Sequence, residues 1–251
     1  GSLRAFAGFG NLAASVTGFQ LYAGWPDRAP AGPAGAYTDY ISARYNAIAI
    51  LAALEHRRRT GEGQYIDQSQ AEAAFHFLAP ELLDHSLTGR TRTRVGNDDR
   101  EMFPHGVFPA RGSDRWVAIA VRGDADWRAL CEALGRPDWR DDPALANADA
   151  RRAKQADVDA AISAWTGARD AASVEAELQA RGVPAHAVLD MPGLYADAQL
   201  RARGHFLELP HPVHGTVAIE ASRSRLSQTP ARVPARALTF GCDNRRVLGE
   251  L

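Results

Sequence analysis

Apolar positions along the chain fall into two textures, separated by a polar, loop-like stretch at residues 89–103 (GRTRTRVGNDDREMF). Before that stretch the periods are helical. Residues 3–23 are small and apolar with interspersed glycines, which predicts a loop and then a helix from about Asn11. Residues 24–36 set Pro26, Pro30 and Pro33 among Gly24, Gly32 and Gly35. That is too much proline for a helix or a central strand, so an irregular connection is expected. Over residues 40–59, Ile41, Tyr45, Ile48, Leu51 and Ala52 recur at helical spacing and Leu54 widens the face. The basic run His56, Arg57, Arg58 and Arg59 falls in the last turn, where cations complement the helix dipole, and Gly61 and Gly63 end the helix. Residues 64–67 read as a short strand. A second helix is expected from Ser69, which has Glu72 at capping-box spacing; it runs towards Pro80 and continues, bent, to His85.

After residue 103 the pattern shortens. Val107, Phe108 and Pro109, and then residues 116–121, read as strands joined by a turn around Gly112, Ser113 and Asp114. Helices are expected at about 124–134, 149–166 and 170–180, and strands at 183–189, 207–209 and 216–219. This predicts a smaller α/β domain over 101–190. The segment from Arg223 is rich in proline and arginine and reads as extended. No internal repeat is present.

The chain has 251 residues, 45% of them hydrophobic and 24% charged, with a formal net charge of −1. That is enough apolar material for a core. The near-neutral balance points to neither a nucleic-acid nor a membrane-surface partner. Lys154 is the sole lysine among many arginines, which reads as genomic codon bias rather than a binding code. Cys131 and Cys242 stand apart, outside any CxxC, so a disulfide framework or zinc site is not expected and a reducing cytoplasm is. No apolar run reaches the roughly 18–20 residues of a membrane helix, and no signal peptide is expected.

Asp39 carries the candidate chemistry. The pattern places it at the N-cap of the 40–59 helix. A capping role alone contributes about 1 kcal/mol. The same position suits a reactive carboxylate, because the free N–H groups and dipole of a helix N-terminus keep an anion ionised.

Tyr37, Thr38, Asp39 and Tyr40, followed by AIAILAALEHRRRTGEGQYIDQSQAEAA over 47–74, resemble the signature of the family III (CaiB/BaiF-type) CoA-transferases. There an aspartate is followed fifteen residues later by the last leucine of an ILAAL run, then by an RxxTGxGQ turn. Asp39, Leu54 and the run from Arg57 to Gln64 keep that spacing without a gap. Further agreement comes from the PxGVFP-type segment at 104–109, from Arg181 to Ala185, from Leu200 to Gly204, from His211-Pro212 and from Leu226 to Pro230. The resemblance therefore covers almost the whole chain.

It implies an α/β fold with a Rossmann-like large domain, partial here, and a smaller inserted α/β domain. Residues 1–100 would be part of the large domain with the catalytic aspartate, 101–190 the small domain, and 191–251 the return segment. The implied reaction moves CoA from an acyl-CoA donor to a carboxylic acid. The aspartate, here Asp39, attacks the thioester to give a mixed anhydride and then an aspartyl-CoA thioester. Coenzyme A enters as substrate; no permanently bound cofactor and no metal is implied. The stretch Ala7, Gly8, Phe9 and Gly10 matches one that touches CoA. The partners implied are an acyl-CoA, a small carboxylic acid and, for a full-length chain, a second copy in an interlocked homodimer.

Two departures shape the expectation. Family chains are longer at the N-terminus, where most contacts to the CoA nucleotide lie. This chain is accordingly expected to be a fragment or one piece of a larger or fused polypeptide. In place of the GGGQ loop of oxalate-using members stands a charged loop with Asp98, Asp99, Arg100, Met102 and Phe103 as candidate substrate contacts, so oxalate is not the expected acceptor. Two alternatives are carried alongside: a non-catalytic fragment or half-domain, and an acyl-CoA racemase. In the racemases that the resembled family also includes, a histidine lies nine residues before a glycine and pairs with an aspartate twenty-one residues after it; counted from Gly18, Asp39 takes the second position. Phe9 stands at the first and has no proton to exchange.

Overall fold

The computed structural model describes residue 5 and residues 8–32, 35–233 and 239–249. Its contacts divide the chain into two compact units, residues 1–185 and 186–251.

The first unit opens with α1 (Gly10–Val16) and a single helical turn, α2 (Phe19–Tyr22). Gly18 joins them with φ 88°, a left-handed conformation that costs a glycine little. Next come α3 (Tyr37–Thr60), α4 (Gln70–Phe75) and, after a 3₁₀ turn at His76–Leu78, α5 (Ala79–Thr88). Gly61 ends α3 in the left-handed region, φ 81°, and its N–H donates to Arg57 O at 2.8 Å. Ser69 caps α4 as expected, its hydroxyl accepting from the Glu72 N–H at 3.2 Å. The predicted bend before Pro80 is the 3₁₀ turn.

Helices α1, α3 and α4 meet on small side chains. Ala14, Ala73 and Ala74 are buried between them with Ile41, so the backbones approach closely. Two expectations need correction here. Residues 64–67 pair with no neighbouring strand, and Tyr65 is 90% exposed; an extended stretch without an edge to join makes no sheet. The apolar face of α3 is buried only at its start. Ile48, Leu51 and Leu54 are all more than half exposed, because the C-terminal half of the helix extends past α1 and α4.

The α/β part of this unit begins with β1 (His105–Pro109) and β2 (Trp116–Ala120), antiparallel with Phe108 opposite Val117. Then follow α6 (Asp124–Ala133), α7 (Pro137–Arg140), α8 (Ala148–Ala153), α9 (Gln155–Gly167) and α10 (Ala171–Ala180). With β3 (Ala185–Ala187) the sheet order is β1-β2-β3. Val117, Ile119, Val121, Trp127, Leu130, Ile162, Val174 and Leu178 form its core, each at most 2% exposed. The helix expected over 149–166 is two helices, broken at Lys154. The backbone there leaves the helical region (φ −111°, ψ 27°), and its carbonyl restarts the ladder by accepting from the Val158 N–H at 3.1 Å.

The second unit holds two short helices, α11 (Met191–Ala196) and α12 (Ala198–Ala202), capped by Asp190 and Asp197. A hairpin of β4 (Phe206–His211) and β5 (Gly215–Glu220) follows, with Leu207 opposite Ile219 and Leu209 opposite Val217. The strands expected at 207–209 and 216–219 are its centre. A last helix, α13 (Asn244–Gly249), was not signalled by the pattern.

Candidate active site around Asp39

Asp39 is the third residue of α3, not its N-cap. Ala36 holds the cap position (φ −80°, ψ 67°), and the Asp39 N–H donates to Ala36 O at 3.0 Å. The helix starts earlier than expected because Thr38 is fully buried and tied down, its hydroxyl donating to Gly10 O at 2.9 Å. The electrostatic argument survives the shift through the helix dipole, whose positive end still lies at the first turn, although the Tyr37 and Asp39 N–H groups there are already donated to Gly35 O and Ala36 O. Asp39 itself is exposed.

Three segments converge on this carboxylate. From α4, the Gln70 side-chain amide nitrogen donates to Thr38 Oγ1 at 2.8 Å and to Asp39 Oδ1. From α1, Gly10 lies against it so closely that a Cβ there would stand 2.6 Å from both Asp39 Oδ1 and Ala36 Cβ. A Gly10→Ala variant is therefore expected to push α1 away from α3, losing about 1–3 kcal/mol as an overpacked contact and displacing Asp39. Thermal unfolding together with an activity assay checks this.

Of the expected coenzyme A stretch, Ala7 lies outside the described residues. Gly8 and Phe9 are exposed, Phe9 at 71%. Gly10 alone of this stretch makes a described contact with the Asp39 carboxylate.

The charged loop is organised by other residues. Asp99 Oδ1 accepts from the N–H groups of Glu101 and Met102, both at 2.9 Å. Asp98 Oδ1 accepts from the Gln155 amide at 3.1 Å. The Arg152 guanidinium reaches the carbonyls of Asp99 at 2.9 Å and Arg100 at 3.2 Å. Phe103 packs into the core of the α/β part at 4% exposure, so its ring offers a ligand almost no surface. The fold thus ties 98–103 to α8 and α9, and these bonds include none to Asp39.

The hydrogen bonds from Met102 and Glu101 hold the Asp99 carboxyl below its usual range. A depressed folded-state pKa stabilises the protein above the unfolded value of about 3.9, and the contribution is lost as pH falls further. Asp99→Ala is accordingly expected to lower the melting temperature by about 2–4 °C at neutral pH, a loss of about 1 kcal/mol. The difference should shrink below pH ~4, as melting curves across pH will test.

A cleft of about 650 Å3 lies beside this loop, with Trp25, Asp98, His105, Phe108, Gln155 and Asp159 among its lining residues. Burial pushes the Asp159 carboxyl up, opposed by a hydrogen bond from Gln155 and reinforced by the charge of Asp98. Asp39 and Gly10 are not part of its lining. Cys131 is buried and its thiol is pushed up to about 12 by that burial, which makes it a poor nucleophile. Among the described residues no group of three or more His, Cys, Asp or Glu side chains could hold a metal ion. Among them, too, no helix is long and apolar enough to cross a membrane.

Sequence reasoning found Asp39 but missed Thr38 and Gln70. Thr38 was visible only as a neighbour in the Tyr37 to Tyr40 match. Gln70 stands directly after the Ser69 cap, and helical periodicity treats such a first-turn residue as solvent-facing. No local signal says that α4 folds back onto the start of α3.

The model of CoA-transferase family III matches residues 1–244, and the chain belongs to that family. It is 30% identical to a succinyl-CoA–D-citramalate CoA-transferase of Chloroflexus aurantiacus, over 100% of this chain and 62% of that protein. It is 32% identical to a succinate–glutarate CoA-transferase of Agrobacterium fabrum, over 98% of this chain and 61% of that protein. A crystal structure of a CaiB/BaiF family protein from Brucella suis superposes with a TM-score of 0.88 at 27% identity, covering 100% of this chain and 64% of that one. The chain thus spans about three-fifths of the length of these curated relatives, and the α/β fold is that of the family.

Proposed function

We propose that the protein to which this chain belongs is an acyl-CoA:carboxylate CoA-transferase with Asp39 as its nucleophile. The observation that carries the reading is the convergence of α1, α3 and α4 on one exposed carboxylate, gripped on one oxygen by Gln70 and backed by Gly10. A carboxylate held in this way keeps its second oxygen for attack on a thioester carbonyl, and attack at that carbon releases CoA thiolate. The N–H groups at Gly8, Phe9 and Gly10 lie on the stretch that would meet the CoA chain and the developing oxyanion. Coenzyme A is then a substrate. The relatives named above act on succinyl-CoA, succinate, D-citramalate or glutarate by their names, so dicarboxylic acids are the first acceptors to try.

The same reading takes residues 1–100 and 191–251 as parts of one large domain around a small one at 101–190, in an interlocked homodimer working in the cytoplasm. Asp98, Arg100 and Met102 are its proposed loop contacts to the acid. A racemase is disfavoured by Phe9, which offers no proton opposite Asp39.

The test is an exchange assay on the full gene product with succinyl-CoA and a panel of carboxylic acids. A new acyl-CoA should form in step with released succinate, without net loss of CoA thioester. Free CoA alone would mean a hydrolase. No turnover, and no CoA binding by calorimetry, would mean a non-catalytic domain.

A further inference from the structure

Gln70 has no part in the reaction outlined so far, yet it makes the one described side-chain hydrogen bond to the Asp39 carboxylate. Its amide nitrogen has two protons, and the structure uses both, one on Asp39 Oδ1 and one on Thr38 Oγ1. The orientation is fixed by chemistry, since an ionised carboxylate accepts only and the Gln70 carbonyl oxygen could not face it. The Thr38 hydroxyl in turn donates a hydrogen bond to Gly10 O. The donor is therefore held by a buried hydroxyl, and Gln70 sits at the first residue of a capped helix.

We infer that Gln70 is a catalytic residue that stabilises the oxyanion formed on Asp39 itself. The inference rests on Asp39 being the nucleophile. With Oδ1 engaged, Oδ2 attacks the donor thioester carbonyl; the carbon–sulfur bond breaks and CoA leaves as thiolate. In the resulting anhydride Oδ2 is the bridging oxygen and Oδ1 remains the carbonyl oxygen on Cγ, still facing the Gln70 amide. When the thiolate attacks Cγ, the carbonyl electron pair moves onto Oδ1. Collapse then breaks the Cγ–Oδ2 bond, and the donor acid departs as a carboxylate carrying that oxygen.

The acceptor carboxylate next attacks Cγ of the aspartyl-CoA thioester and again places negative charge on Oδ1. Collapse expels the thiolate, which attacks the acceptor carbonyl of the new anhydride. That attack releases the new acyl-CoA and restores the Asp39 carboxylate. Both attacks at Cγ thus build charge on the one atom that Gln70 already touches. The attacks at the donor and acceptor carbonyls build it elsewhere. A donor placed on the oxygen where charge develops is worth about 100-fold or more in rate.

The experiment is rapid-quench intact-mass spectrometry of the full gene product mixed with succinyl-CoA, comparing wild type, Gln70→Leu and Gln70→Glu. Wild type is expected to pass quickly to the CoA adduct of Asp39. Gln70→Leu should form the CoA adduct about 100-fold more slowly and accumulate the succinyl adduct that precedes it. Gln70→Glu keeps the size of the side chain and loses the donor at neutral pH. Its rate of CoA-adduct formation should rise as pH falls and the introduced carboxyl takes up a proton, a recovery that Gln70→Leu cannot show.

A folded Gln70→Leu variant that forms the CoA adduct at the wild-type rate overturns the role of Gln70 and leaves Asp39 in place. Equal slowing of the succinyl and CoA adducts, with no pH recovery in Gln70→Glu, would assign Gln70 a merely structural role and also overturns it. Wild type forming neither adduct overturns the nucleophile assignment, and the role of Gln70 falls with it.

Discussion

Asp39→Ala is expected to abolish CoA exchange while the protein stays folded. Removing the attacking group of a covalent mechanism leaves only binding and positioning, and losses on the order of 10⁵- to 10⁶-fold in kcat follow when a nucleophile is deleted. The structural cost is small by comparison. Asp39 is exposed and sits in the first turn of a helix with 24 residues, where a carboxylate contributes about 0.3–1 kcal/mol through the dipole. The bond from Gln70 is lost as well, but Gln70 keeps Thr38 Oγ1 as a partner, and water can reach the vacated position. Activity and stability should therefore separate. The melting temperature should move by a few degrees, about 2–4 °C per kcal/mol for a protein of this size, while turnover falls to background. Asp39→Asn should behave similarly in kinetics, because an amide is a far weaker nucleophile.

Trp127→Ala is expected to have the largest effect on stability. Trp127 is 2% exposed in the core of the α/β part. Its ring stacks on Trp139 with centroids 6.0 Å apart and planes 11° from parallel, and the Arg151 guanidinium lies 5.0 Å from its centroid. Arg151 is itself 2% exposed and makes its ion pair to Asp124 Oδ1 at 3.0 Å. Truncating the indole opens a cavity and removes the face on which a buried cation rests. Buried Trp-to-Ala changes cost about 3–5 kcal/mol, a large share of the 5–15 kcal/mol by which domains are stable. Chemical denaturation should show the unfolding free energy falling by that amount, with a matching drop in the midpoint. The helices around Asp39 draw on a different set of buried residues, Ala14, Ile41, Ala73 and Ala74, and should be affected only through the loss of global stability.

What could be read from the sequence follows from how local each determinant is. The C-terminus of α3 and the N-terminus of α4 were legible because Gly61, Ser69 and Glu72 act within one turn of themselves. Strands β1, β2, β4 and β5 were legible because apolar runs bounded by turn residues have few alternatives. The break at Lys154 was not, since its neighbours on both sides are good helix formers and only the tertiary path of α8 and α9 separates them. The exposed half of α3 also escaped, because periodicity marks an apolar face without saying what covers it.

The site divides in the same way. Asp39 stood out through a motif long enough to be specific, although its place in the first turn was off by three positions. Gly10 carries a structural reason of its own, a contact with Asp39 that no side chain fits. Phe103 looked like a loop residue in the company of Asp98, Asp99 and Arg100, and the core took it instead. Gln70 depended on α4 returning to α3, a long-range contact that no window of sequence contains.

The most direct test of the central claim is chemical trapping. The full gene product is incubated with succinyl-CoA, quenched with hydroxylamine, digested and analysed by peptide mass spectrometry. An aspartyl anhydride or thioester reacts at Cγ to leave a hydroxamate, and the account predicts that modification on Asp39 and on no other carboxylate. Turnover with Asp39 unmodified, or a hydroxamate at a different acidic residue, would contradict it.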